Sequence, residues 1–88
     1  MNYLERDGRF WGIAYVDDAN EILLHYGKIG SDGTIRRVYK GYDGDEGLID
    51  ERKRLHAKLS AGYKKLSKKS VKKMTLIKVP IKLMEHAR

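Results

Sequence analysis

The sequence predicts an α+β fold: an antiparallel β-meander of about four to five strands with one α-helix packed on it, plus a C-terminal edge strand. Three observations carry this. Eight of the nine glycines fall at or before Gly47 and punctuate short runs rich in aromatic and β-branched residues. The apolar spacing then changes to the helical period over residues 45–61. It returns to strict alternation near the C-terminus, over Met74 to Met84.

Asp7-Gly8 is a two-residue hairpin signal between Tyr3-Leu4 and Phe10-Trp11. Arg9 to Val16 reads as a strand, with Trp11, Ile13 and Tyr15 on one face and Phe10, Ala14 and Val16 on the other. Asp17 to Asn20 makes a turn, and Ile22 to Ile29 a second long strand. Gly30-Ser31-Asp32-Gly33 is a tight turn, after which Thr34 to Tyr39 pairs back. Leu48, Arg52, Leu55 and Leu59, joined by Ile49, mark the buried stripe of a helix over Asp45–Ala61. Asp43 or Asp45 can cap its start, and Gly62 ends it as a C′ glycine. Lys64 to Lys73 holds six lysines in ten positions and connects helix to strand, as extra helical turns or as an extended loop. Ile77, Val79, Ile81 and Leu83 then alternate with Lys78, Pro80 and Lys82, and Pro80 confines that strand to an edge. One domain is expected: residues 1–66 form its body, and residues 67–88 add a basic connector and the last strand.

Composition narrows the function. Eighty-eight residues support one modest core, and the absence of cysteine excludes disulfides, thiol nucleophiles and cysteine zinc sites. The net charge is +7, which favours an anionic partner. The charge is uneven: residues 1–44 carry net −1 and residues 45–88 net +8. No run is apolar enough to span a bilayer and no signal-peptide pattern opens the chain, so a cytoplasmic protein that does not engage membranes is expected. Lys64–Lys73 has too few apolar residues for an interfacial helix.

Catalysis finds little support. His25, His56 and His86 have no metal-ligand spacing and read as satisfied or surface histidines. Asp17-Asp18 reads as a solvated pair in a turn. Ser31 and Ser60 lack a nucleophile-elbow context, and Gly27-Lys28 lacks the rest of a phosphate loop. No enzyme, metal or cofactor is expected. Trp11, Tyr15 and Tyr39 read as core residues. The informative stretch is Tyr26 to Gly33, where an aromatic and a base lie two apart on one strand face before a glycine-rich turn. A ring there can stack on a base while the ammonium meets a phosphate; equally, Tyr26 can pack and Lys28 be solvated.

Phe10-Trp11, Tyr26-Gly27-Lys28-Ile29-Gly30 with Gly33, Tyr39, Lys58 and Gly62-Tyr63 occur in that order. In this ordered set the chain resembles the WGR domain, named for a Trp-Gly-Arg motif and found in poly(ADP-ribose) polymerases and in small bacterial proteins. The resemblance covers about residues 3–66. It departs from the pattern at the naming residues, with Tyr26 for the Trp and Lys28 for the Arg. The ring and the charge are kept, but the planar guanidinium fork is lost. The connection Gly41–Asp45 is longer than usual, and Gly47 stands where the family has Ala. The family implies binding at DNA breaks, with Tyr26 stacking and Lys28 on phosphate or on a protein neighbour. No catalytic domain accompanies the motif here, so ADP-ribose synthesis is not expected.

These readings give a DNA-binding module that contacts backbone or ends. Its candidate residues are Tyr26, Lys28, Arg36, Arg37, Lys40, Lys58, Lys64, Lys65, Lys68 and Lys69. Arg36 and Arg37 are neighbours on a strand, so only one joins a given surface. The alternative is a protein-interaction module that docks on a partner enzyme, with the outer strand at Met74–Met84 accepting a partner strand.

Overall fold

A computed structural model of the chain describes residues 1–16, 19–39 and 45–73. Four strands run as an antiparallel meander: β1 (Asn2–Arg6), β2 (Arg9–Val16), β3 (Glu21–Lys28) and β4 (Thr34–Tyr39). Helix α1 (Glu46–Ser60) follows, then a two-residue strand β5 (Lys64–Lys65) and a short helix α2 (Lys68–Lys73). The sheet order is β4-β3-β2-β1-β5, and every pair is antiparallel. The lysine-rich stretch is thus neither a continuation of α1 nor a plain loop. It first adds an edge strand beside β1 and then turns into α2. The alternating segment Met74–Met84, Lys40, Asp17-Asp18, His86 and most of the Gly41–Asp45 connection lie outside the described residues, as does the side chain of Tyr39. Among the described residues no helix is long and apolar enough to cross a membrane.

The Asp7-Gly8 hairpin forms as its sequence requires. Both turn residues have positive φ, 51° and 78°, which matches the right-handed twist of the strands it joins. That turn fixes the register Arg6↔Arg9 through Asn2↔Ile13.

Alternation then sorts the side chains. Leu4, Trp11, Ile13, Tyr15, Ile22 and Leu24 form the core on the α1 side, with Leu48, Leu55 and Tyr63 packed against them. Phe10, Ala14, Val16, Leu23 and His25 are buried on the other face. Ile13 and Ile22 are fully buried, and each such side chain contributes about 1.5–3 kcal/mol by leaving water.

The helix stripe differs from the sequence expectation. Gly47 and Glu51 are its buried positions, with Leu48 and Leu55 half-buried. Ile49 and Leu59 are 49% and 47% exposed, and Arg52 is exposed. Two contacts rotate the helix this way. Gly47 lies against the ring of Tyr15, where any Cβ would collide. Glu51 accepts a hydrogen bond from the Tyr15 backbone N–H at 2.8 Å. Strand β1 reaches only as far as Ile13, so it offers the Tyr15 amide no partner. A carboxylate from the helix replaces the missing strand, and a charged residue therefore occupies an apolar-looking position.

The ends of α1 are satisfied unequally. Asp45 holds the N-cap position but makes no side-chain capping bond; Glu46 places charge at the positive end of the dipole. At the C-terminus the Tyr63 and Gly62 amides bond back to the Lys58 and Leu59 carbonyls, both at 3.1 Å, which is a Schellman closure. Arg6 of β1 donates to the Ala61 carbonyl.

Candidate nucleic-acid interface

The motif strand β3 carries Tyr26 and Lys28 at its C-terminal end, beside the hairpin turn. Ile29 donates to the Gly8 carbonyl at 2.8 Å, which ties that end of β3 to the Asp7-Gly8 turn. The following turn is closed on Lys28, whose carbonyl accepts from the Ser31 amide at 3.0 Å and the Ser31 hydroxyl at 2.7 Å.

A row across three strands holds this turn from beneath. Tyr3, Gly12 and His25 are direct neighbours in the register. Gly12 has no side chain, so the Tyr3 ring lies across it, and the Tyr3 hydroxyl meets His25 Nδ1 at 2.6 Å. His25 Nε2 lies 2.9 Å from the Asp32 carbonyl. A carbonyl only accepts, so Nε2 carries a proton, and in the neutral ring Nδ1 then accepts from the tyrosine hydroxyl. Phe10 packs edge-on to the imidazole at 4.6 Å between centroids. Burial pushes the Tyr3 phenol above its usual range. His25 is thus a buried strut under the glycine-rich turn. The sequence signal for it was the isolated glycine at position 12 of a strand, a mark of close approach.

Two lysines of the second half reach the same end of the sheet. Glu5 accepts from the Ser67 amide at 3.0 Å, and the Ser67 hydroxyl in turn accepts from the Ser70 amide at 3.1 Å. These bonds set where α2 begins and bring it over β1. The result is a cleft of about 290 Å³ lined by Glu5, Gly8, Lys28, Ile29, Lys69, Ser70 and Lys73. Lys28 of the motif and two lysines of the basic run therefore face one depression. Lys73 was not among the sequence candidates. Its place depends on the direction of α2, which Glu5 sets from the far end of the chain.

One carboxylate sits among these lysines. Hydrogen bonding to Ser70 and to the Ser67 amide, with the charge of Lys64, holds Glu5 below the usual carboxylate range against a small opposing desolvation. A lowered folded pKa means that Glu5 stabilises the fold above the ordinary value near 4.5 and loses that contribution as pH falls below it. Acid is therefore expected to loosen the seating of α2. Protection of the Ser67 and Ser70 amides, taken relative to their intrinsic exchange rates, should fall below about pH 4.5 in the native chain. It should lose that pH dependence in Glu5→Gln.

The other candidates divide. Tyr26 is half-buried against the core, directly opposite Trp11. Its side chain is only partly open to solvent. Arg36 shares the Tyr26 face and is exposed, whereas Arg37 points to the other face and pairs with Glu21 at 3.7 Å. Lys58 sits between two rings, 5.5 Å from the Trp11 centroid and 5.1 Å from that of Tyr63. That placement makes it a core strut, with about 0.5–1 kcal/mol of cation–π attraction to each ring. Lys64 pairs opposite Glu5 on the edge strand, and Lys65 lines a separate apolar groove. Lys68 is exposed on α2. His56 is exposed on α1, and among the described residues no group of three His, Cys, Asp or Glu could hold a metal.

No family model matches the chain, and no curated protein or solved structure is detectably similar to it. The functional reading therefore rests on the ordered motif residues and on this geometry.

Proposed function

We propose that the protein is a small nucleic-acid-binding module that holds DNA backbone or ends at the Lys28–Lys69–Lys73 cleft, without sequence readout and without catalysis. One observation carries the reading: the motif lysine and the basic run, 41 or more residues apart in sequence, line a single depression. Three ammonium groups outnumber the one carboxylate there, and that carboxylate already accepts from Ser67 and Ser70. The hairpin turn supplies a wall without side-chain bulk at Gly8, so a phosphate could approach the backbone closely. Tyr26 and Arg36 lie on the adjacent sheet face, where a terminal base or sugar would meet the tyrosine side chain.

Anisotropy titrations of blunt, nicked and single-stranded DNA at ~50 and ~200 mM salt test this. Neutralising about five phosphates gives a slope of log K against log salt near −4.5. Tyr26→Leu keeps the apolar contact with Trp11 but removes the aromatic face. It is expected to weaken end or nick binding by about fivefold, the lower limit for one stacked base. A slope near zero, or no retention of any of the three DNAs at low salt, would refute the reading.

A further inference from the structure

A second depression lies elsewhere. A groove of about 350 Å³ runs between the C-terminal half of α1 and the β1–β5 edge, walled by Met1, Leu4, Leu55, Leu59, Leu66 and Lys65. Its apolar character explains why Leu59 is 47% exposed: the side chain faces this groove instead of the sheet.

We propose that this groove takes an extended segment of a partner protein, with one or two apolar anchors flanked by acidic residues. Two features select that occupant. The first is the edge of β1. Strand β5 pairs only opposite Leu4 and Glu5, and the chain then leaves the edge so that the Ser67 amide can reach Glu5. Among the described residues no strand lies beside the β5 side of Asn2 and Tyr3, and both residues line the groove. An incoming strand would continue β5 and set alternate side chains among the leucines. The second is charge. Lys65 stands in the wall, no acidic residue lines it among the described residues, and exposed Arg52 lies one turn before Leu55 on α1. A second copy of this chain brings net +7. A like-charged copy is repelled by this rim, whereas an acidic flank is attracted. The surface is distinct from the lysine cleft and does not depend on DNA binding there.

The test uses the full chain and two blocked heptapeptides with a Leu-Val-Leu centre, one flanked by paired glutamates and one by paired lysines. By NMR, the glutamate peptide is expected to shift Leu55, Leu59 and Leu66 saturably and to slow exchange at the Asn2 or Tyr3 amide. It should bind at least about tenfold tighter than the lysine peptide at ~50 mM salt. Leu59→Asp, at a half-exposed position, should abolish these shifts with an unchanged unfolding midpoint; Leu66→Ser is the second variant. Equal binding of the two peptides would overturn the proposal. So would shifts that miss the three leucines, nuclear Overhauser contacts from Leu59 to Ile77 or Val79 in the free chain, or self-association that buries Leu59.

Discussion

Reversing the charge of Lys28, Lys69 and Lys73 together is expected to weaken DNA binding by about a hundredfold or more at ~50 mM salt. Each lysine on a phosphate releases about one counterion, so losing three contacts removes about 2.7 from the salt slope. Reversal goes further, because three carboxylates beside Glu5 would repel the phosphate they replace. The informative control reverses Lys53, Lys65 and Lys68 instead. It changes net charge by the same amount, but of those three positions none lines the cleft. If net charge alone draws DNA to the chain, both triples lose affinity equally and the slopes fall together. If the cleft holds the phosphates, the control loses less than about tenfold and keeps most of its slope. Equal losses would leave the protein a generally basic surface, and the cleft would have no special part. None of the substituted lysines is buried, so both triples should keep the wild-type unfolding midpoint within a few degrees.

What was legible in the sequence was local. Asp7-Gly8 specifies its turn by its own φ preferences, and alternation in Arg9–Val16 sorts two faces without knowledge of neighbours. Gly62 ends α1 for the same kind of reason. The opposite orientations of Arg36 and Arg37 follow from the pleat alone. Each of the other features depends on a residue distant in sequence. Glu51 has no place in the apolar stripe read from the sequence, yet it faces inward because β1 stops at Ile13 and leaves the Tyr15 amide to be satisfied. Leu59 fits the apolar stripe but lies outside it, because Gly47 lets the helix approach Tyr15 and sets its rotation. The lysine run could not be divided into β5 and α2 from its own residues. The division comes from Glu5, some 60 residues earlier, which accepts the Ser67 amide. That bond also brings Lys69 and Lys73 to Lys28, so the candidate site was visible in residue type but not in membership.

Gly12→Ala is expected to destabilise the fold by about 1–3 kcal/mol, the usual range for overpacking, although alanine is otherwise the better strand residue. A Cβ at position 12 would lie 2.5 Å from Tyr3 Cε1, so the ring must leave its place across the strand. At about 4–8 °C per kcal/mol for a domain of this size, the midpoint should fall by roughly 5–20 °C. The effect reaches beyond the crowded pair because the ring carries the hydroxyl that fixes His25. With Tyr3 displaced, buried Nδ1 loses its hydroxyl partner. His25 is then free to turn, and the Asp32 carbonyl loses its N–H. The effect should therefore reach the Gly30–Gly33 turn, seen as faster amide exchange there and as a His25 ring no longer held in the Nε2–H tautomer. A double-mutant cycle separates the two contributions. In a Tyr3→Ala background the ring is gone, so Gly12→Ala should become neutral or mildly stabilising. A full-sized loss in that background would mean that the glycine serves the strand backbone, and that the Tyr3–Gly12–His25 row does not support the turn next to Lys28.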